Sequence, residues 1–448
     1  MKNQLSDMAK ALILAAKGAG ADAADALVVQ GQSVSIGVRA GELEQAERAE
    51  GIDLGLRVLI GQRQAIVSFS DANPDLFDGM AERAVAMARE APVDPYIGLA
   101  DPDQLAKNRD AAALEMFDPA AAPSPAELQD DALRCEAAAL AVNGISQVSA
   151  SGAGYGAQTL HLEMSNGFSG GYQRSSRSTS CVAITGSGTD MERDYAGESR
   201  IFQADLPSPE EIGQLAGERT IARAGARKPK TGAYPVVFDE RVSGALIGHL
   251  LTAVNGASVA RGSSWLRDKL GQQVLPCGMS IVEDPHRARI AGSKPFDGEG
   301  LATARRMIVE DGVLQGWTLD LASARKLGMT STANASRGTG SAPAPSIGNI
   351  ELSAGGKTRD ELLVEMGTGL LITSMIGSSI NPTTGDYSRG ASGFWVEGGE
   401  IKFPVNECTV AGNLHEMLAG IVVANDGQPH LSRVVPSILV QGLILAGE

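Results

Sequence analysis

The stretch Asn381 to Glu400, NPTTGDYSRGASGFWVEGGE, constrains the fold of this chain more than any other. Asn381-Pro382 and Thr384-Gly385-Asp386 carry turn chemistry. Ser392, Phe394 and Val396 then alternate with Gly393 and Trp395, the two-residue period of a strand. Gly398-Gly399 turns the chain, and Ile401, Phe403 and Val405 resume the alternation. The segment predicts a turn, a strand, a tight hairpin and a second strand, so this region belongs to antiparallel sheet. Asp386, Arg389 and Glu397 are its candidate functional residues. The preferred reading is an ion pair that fixes the turn; the alternative is contact with a peptide backbone or terminus.

The same chemistry recurs along the chain. Its 54 glycines and 4% aromatic content suit many turns and short strands, and 448 residues exceed one ordinary domain. Residues 3–18 read as a helix with Leu5, Met8, Leu12 and Ala15-Ala16 on one face. Strands follow at Ala26–Gln30, Val34–Arg39, Ile52–Ile60 and Ala65–Ser70, and Asn73-Pro74-Asp75 opens a second helix. Residues 91–123, with five prolines, read as a linker. Ser124-Pro125-Ala126-Glu127 and Ser208-Pro209-Glu210-Glu211 each combine an N-cap serine, a first-position proline and a glutamate three residues after the cap. These two helix starts bracket strands from about Val148 to Phe202. Beyond Lys228-Pro229-Lys230, Tyr234–Phe238 reads as a strand and Asp239 caps a helix to about Val254. Short β segments follow, Glu361–Met366 among them, and Ser331–Ile347 reads as a polar surface loop. The expected class is α+β: an N-terminal α+β domain (1–115), a middle α+β domain (116–228) and a large, mainly antiparallel-β C-terminal domain (229–448).

The formal charge of −15 leaves no broad basic surface for nucleic acid; the densest cluster, Arg223 to Lys230, suits a solvated linker. No apolar run approaches a membrane span. The N-terminal apolar run is broken by Lys17 and suits an amphipathic helix rather than a signal peptide, so a soluble cytoplasmic protein is expected. Cys135, Cys181, Cys277 and Cys408 form no Cys-x-x-Cys pair and read as reduced thiols.

Few residues suggest chemistry on their own. His249 shares its helical face with Val242, Ala245, Leu246 and Ala253, which suits a buried, hydrogen-bonded histidine. A metal helix would add a second ligand one turn on and a glutamate; Leu250, Ala253 and Val254 stand there instead. His415-Glu416 would need a histidine at 419 or 420 to form a zinc-protease helix, and those positions are Ala419 and Gly420. Cys408 with His415 makes only two candidate ligands. Asp297-Gly298-Glu299-Gly300 suits a cation or, by default, a loop between strands, without the EF-hand pattern. Gly338-Thr339-Gly340 lacks the context of a dinucleotide site and reads as a turn.

Extended to NPTTGDYSRGASGFWVEGGEIKFPVNECTVAGNL, the opening stretch resembles the C-terminal signature of the TldD/PmbA family, also called the modulator of DNA gyrase family, on its PmbA (TldE-type) branch. RVSGALIGHLLTAVNGASVARGSSWL from Arg241, PFDGEGLATARRMIVEDGVLQGWTLDLASARKLGM from Pro295 and the hairpin around Gly55 to Ser70 agree with it. The resemblance implies a cytosolic zinc metalloprotease system of two related subunits that cleaves small or unfolded peptides. Its TldD-type subunit carries zinc on a His-Glu-x-x-x-His helix, completed by a cysteine. With His249 at the first ligand, Leu250 falls at the glutamate and Val254 at the second histidine, so His249 marks a degenerate metal helix. The ligand role does not transfer to Cys408. The resemblance thus implies a subunit without catalytic residues, metal or cofactor of its own. Its partner would be a TldD-type, zinc-bearing protease subunit, its ligand a peptide, and a homodimer would be possible in isolation. Two other readings remain: an autonomous hydrolase using Cys408 and His415, and a regulatory protein acting on DNA gyrase.

Overall fold

Residues 2–448 are described by the computed structural model of the chain. Six antiparallel strands build the first sheet: β1 (Ala23–Arg39), β2 (Glu42–Ile60), β3 (Arg63–Phe69), β4 (Ile145–Met164), β5 (Ser169–Thr185) and β6 (Glu192–Arg200), in the order β3-β2-β1-β4-β5-β6. The β1–β4 ladder, from Asp25 opposite Met164 to Val38 opposite Ser151, joins strands on either side of the proline-rich connection into one sheet.

Alternation along β1 assigns the two faces. Ala24, Ala26 and Val28 pack with Leu5 and Leu12 of α1 (Lys2–Gly18) and Phe77 and Ala81 of α2 (Phe77–Glu90). Ile36 and Val38, of the same parity, pack with Leu128 and Ala132 of α3 (Pro125–Ala141). The helices therefore line one face. Ser124 and Ser208 form the predicted capping boxes at α3 and at α4 (Pro209–Ile221). On the opposite face Leu27 packs with Leu162, Phe168, Phe296 and Leu301, so the C-terminal part of the chain covers the near half of the sheet.

The second large sheet contains β7 (Gly232–Phe238), β8 (Gly369–Ile380), β9 (Asp386–Glu397), β10 (Glu400–Asn413) and β11 (Ile438–Ala446). They lie in the order β10-β9-β8-β7-β11, and a β10–β11 ladder at Thr409–Ala411 closes them into a barrel. The opening stretch supplies the turn, β9, the hairpin and β10, as its alternation predicts. α5 (Glu240–Ala253), capped by Asp239, buries Leu246, Ile247 and Leu250 in the core that includes Trp395, Val405 and Val410. The α+β class with a β-rich C-terminal part holds.

Three expectations change. Glu361–Met366 is not a strand; it lies in α6 (Arg359–Met366), whose N-cap Thr358 accepts from Glu361 N while Glu361 reaches back to Thr358 N. That box outweighs a short alternation. β2 begins at Glu42, ten residues before Ile52, because Glu42–Gly51 is exposed throughout and carries no burial pattern to read. Ser331–Ile347 is not a loose surface loop: Ala333, Asn334 and Ala335 are buried, and Ala335-Ser336 pairs with Ala344-Pro345. Among the described residues no helix is long and apolar enough to cross a membrane.

Candidate functional site

α5 brings His249 against β9. Its ring meets Tyr387 edge-on, with centroids 5.7 Å apart and planes at 73°. Nε2 is buried and without a hydrogen-bond partner, so the expected hydrogen bond is absent. Burial, aided by the Arg389 charge, holds the His249 pKa below its ordinary value and keeps the imidazole neutral. Leu250 and Val254 are fully buried among aliphatic neighbours. Cys408, on β10, donates its thiol proton to Ala391 O at 3.1 Å, and burial pushes its pKa up to about 11. A cysteine binds zinc as its thiolate, and this thiol is spent on a backbone carbonyl. With Leu250 and Val254 buried in hydrocarbon, this stretch of α5 offers a zinc ion one imidazole and no second ligand. Among the described residues no group of three or more His, Cys, Asp or Glu is placed to hold a metal. His415 lies elsewhere, its ring 4.8 Å from that of Trp265.

Asp386, Arg389 and Glu397 do not pair with one another. Twelve residues of β9 at about 3.4 Å each span ~40 Å, which keeps its ends apart. The Asp386 carboxylate accepts from Thr384 Oγ1 at 2.7 Å and Asn413 Nδ2 at 3.1 Å, and these bonds hold its pKa low. Arg389 Nε donates to Gly377 O at 2.7 Å, and Glu397 accepts from Trp395 Nε1 at 2.9 Å. Each fixes a local piece of the hairpin system, without the predicted ion pair.

The β4–β5 hairpin places His161 beside Ser169 and Glu163, an arrangement that residue order did not reveal. Both neighbours contact Nε2, at 3.2 and 3.1 Å. A catalytic triad needs the nucleophile and the acid on opposite ring nitrogens, so this cluster is a shared hydrogen bond.

The richest constellation lies where the C-terminal part covers the first sheet. A cavity of about 670 Å³ is lined by Leu27, Leu162, Phe296, Lys294, Arg174 and Arg337, among others. Asp297, from the acidic glycine-rich motif, accepts backbone N–H groups of Glu299, Leu301 and Ala335. Glu299 accepts from Leu321 N, and burial beside Asp297 pushes its pKa up to about 8. Both carboxylates are spent on backbone N–H groups, so the motif braces a buried loop. Arg337 crosses to β1 and pairs with Asp25, which Arg57 also holds at 2.6 Å. Sequence reading missed this network because its members lie hundreds of residues apart.

Comparison with known proteins fits this arrangement. Family models described as PmbA/TldA metallopeptidase match in three parts: domain 1 over residues 24–88, the central domain over 118–224 and the C-terminal domain over 231–447. A protein named metalloprotease PmbA from Escherichia coli O157:H7 is 38% identical over 95% of this chain and 93% of its own length. The chain belongs to the PmbA/TldA metallopeptidase family. This is the TldD/PmbA family of the sequence resemblance. The family fold is also seen in a putative modulator of DNA gyrase from Bacteroides thetaiotaomicron, with TM-score 0.91, 27% identity and coverage of 99% of this chain and 98% of the other. TldE from Thermococcus kodakarensis matches in fold, with TM-score 0.84, 18% identity and coverage of 98% and 100%.

Proposed function

We propose that this chain is the metal-free subunit of a two-subunit peptidase whose TldD-type partner carries the zinc. The observation that supports this reading is in α5: Leu250 and Val254, which the resemblance sets at the general base and the second ligand, are buried hydrocarbon. In such a pair the metal-free half forms a wall of the peptide chamber, supplies strand edges and apolar pockets to an extended substrate, and stabilises the catalytic half by association. The cytoplasm suits such an assembly, and the acidic charge of −15 disfavours direct nucleic-acid contact. A homodimer in the absence of the partner is compatible with this role.

The purified chain is expected to hold no stoichiometric zinc and to cleave no peptide alone, while adding activity to a TldD-type subunit. Metal analysis and peptide cleavage, with and without that subunit, test this. Zinc at one equivalent together with cleavage by this chain alone would overturn it.

A further inference from the structure

The cavity between the first sheet and the C-terminal part holds an ammonium group that the fold leaves unengaged. The Lys294 backbone is pinned at both ends, its N–H donating to Pro285 O and its carbonyl accepting from Thr303 Oγ1. Among the described residues, no hydrogen bond or ion pair engages its Nζ, although the residue is half-buried at the cavity wall. Two further cations stand at the same wall. Arg174 is anchored on Ala291 O and Ser293 O. The Arg337 side chain is 2% exposed and spends one nitrogen on Asp25, while its Nε and Nη2 have no hydrogen-bond partner. Of the nearby acids, Asp297 is saturated by three backbone N–H groups and Glu283 is paired with Arg306 at 2.7 Å. Asp53, at the rim, accepts from Ser70. Leu27, Leu160, Leu162, Tyr172, Phe296 and Ile347 give the wall a hydrocarbon and aromatic part, beside the polar Gln158, Ser336, Thr339 and Ser346.

Burial disfavours the charged form of this amine, and an entering carboxylate stabilises its ammonium. We propose that this cavity binds the C-terminal residue of a peptide, its carboxylate at Lys294 and its apolar side chain against Leu27, Leu162 and Phe296. An unengaged ammonium beside an apolar wall suits one negative charge carried next to hydrocarbon. The preceding residues have a path: the cavity shares Val29, Gln158, Arg174 and Ala291 with a second cleft of about 670 Å³ along β1 and β4. There Gly31 and Gly156 leave the strand backbone open to close approach. The inference rests on reading the chain as a peptide-handling subunit.

Isothermal titration of the full chain with an acetylated tetrapeptide ending in leucine tests it. Three forms are compared: the free acid, its C-terminal amide, and an amide with an internal aspartate. The free acid is expected to bind at least ~10-fold tighter than either amide. That preference is expected to vanish in Lys294→Met and return in Lys294→Arg. Equal binding of acid and amide by the wild-type chain overturns the proposal, as does failure of all three to bind or a preference that survives Lys294→Met. An internal aspartate that matches the free acid also overturns it, assigning the cavity to acidic side chains. If Lys294→Met does not fold, the wild-type comparison still decides. Association with a TldD-type subunit, measured in parallel, is expected to be unchanged by Lys294→Met; loss of the acid preference with intact association separates the cavity from the subunit role.

Discussion

Asp25 on β1 and Arg337, 312 residues further along the chain, form a buried ion pair that ties the first sheet to the C-terminal part. Arg57 on β2 completes a cluster of two guanidiniums around one carboxylate. Asp25→Asn leaves both guanidiniums without their counter-charge and is expected to cost roughly 3–5 kcal/mol. The cluster also has a pH signature. Burial alone would raise the Asp25 pKa, but Arg337 and Arg57 bring it below the ordinary value. The stability they supply is present above the unfolded pKa of about 3.9 and is lost as pH falls through the lower folded value. Thermal melts from pH 5 downward should therefore fall less steeply for Asp25→Asn than for the wild type.

Glu299 has the opposite sign. Its folded pKa of about 8 lies above the unfolded value, chiefly through burial and then through Asp297. Stability is fully present below the unfolded pKa of about 4.3 and declines as pH rises toward the folded one. Glu299→Gln keeps an acceptor for Leu321 N and removes the titration. It should flatten the melting temperature between pH 5 and 8 and stabilise the protein at pH 8 relative to the wild type. An unchanged slope would show that Glu299 is not the titrating group.

Gly55 marks how closely the segment after Arg337 approaches the sheet. A Cβ at this position would lie 2.2 Å from Thr339 O, a backbone atom that cannot swing aside. Gly55→Ala is expected to destabilise the chain by about 1–3 kcal/mol and to raise hydrogen exchange around 337–340. Native-like exchange there would contradict the close packing.

Leu250→Glu restores the glutamate of a metal helix to a site buried in hydrocarbon. It should cost roughly 3 kcal/mol or more, because a carboxylate has no partner there. Equimolar zinc should not recover the lost melting temperature, since only His249 of the expected ligand set is present. Recovery by zinc would show that the helix retains a working metal geometry.

Local chemistry carried far along this chain. Ser124, Ser208 and Asp239 announce their helices because an N-cap and its glutamate or neighbouring N–H groups act within a few residues. The alternation from Ser392 to Val405 announces β9 and β10 because one period of two maps onto one pleat. The same logic fails at Glu42–Gly51, where both faces meet solvent, and at Glu361, where a cap competes with a short alternation.

What the sequence by itself determined was class and family, set by neighbours in the chain. Only the tertiary structure decided that β1 pairs with β4, that the segment from Ser331 is pinned by Arg337 to Asp25, and that Lys294 stands unengaged beside Phe296. Those contacts depend on closing loops of tens to hundreds of residues. Their energy comes from burial and charge pairing across the closed interface, and no local pattern in the chain records it.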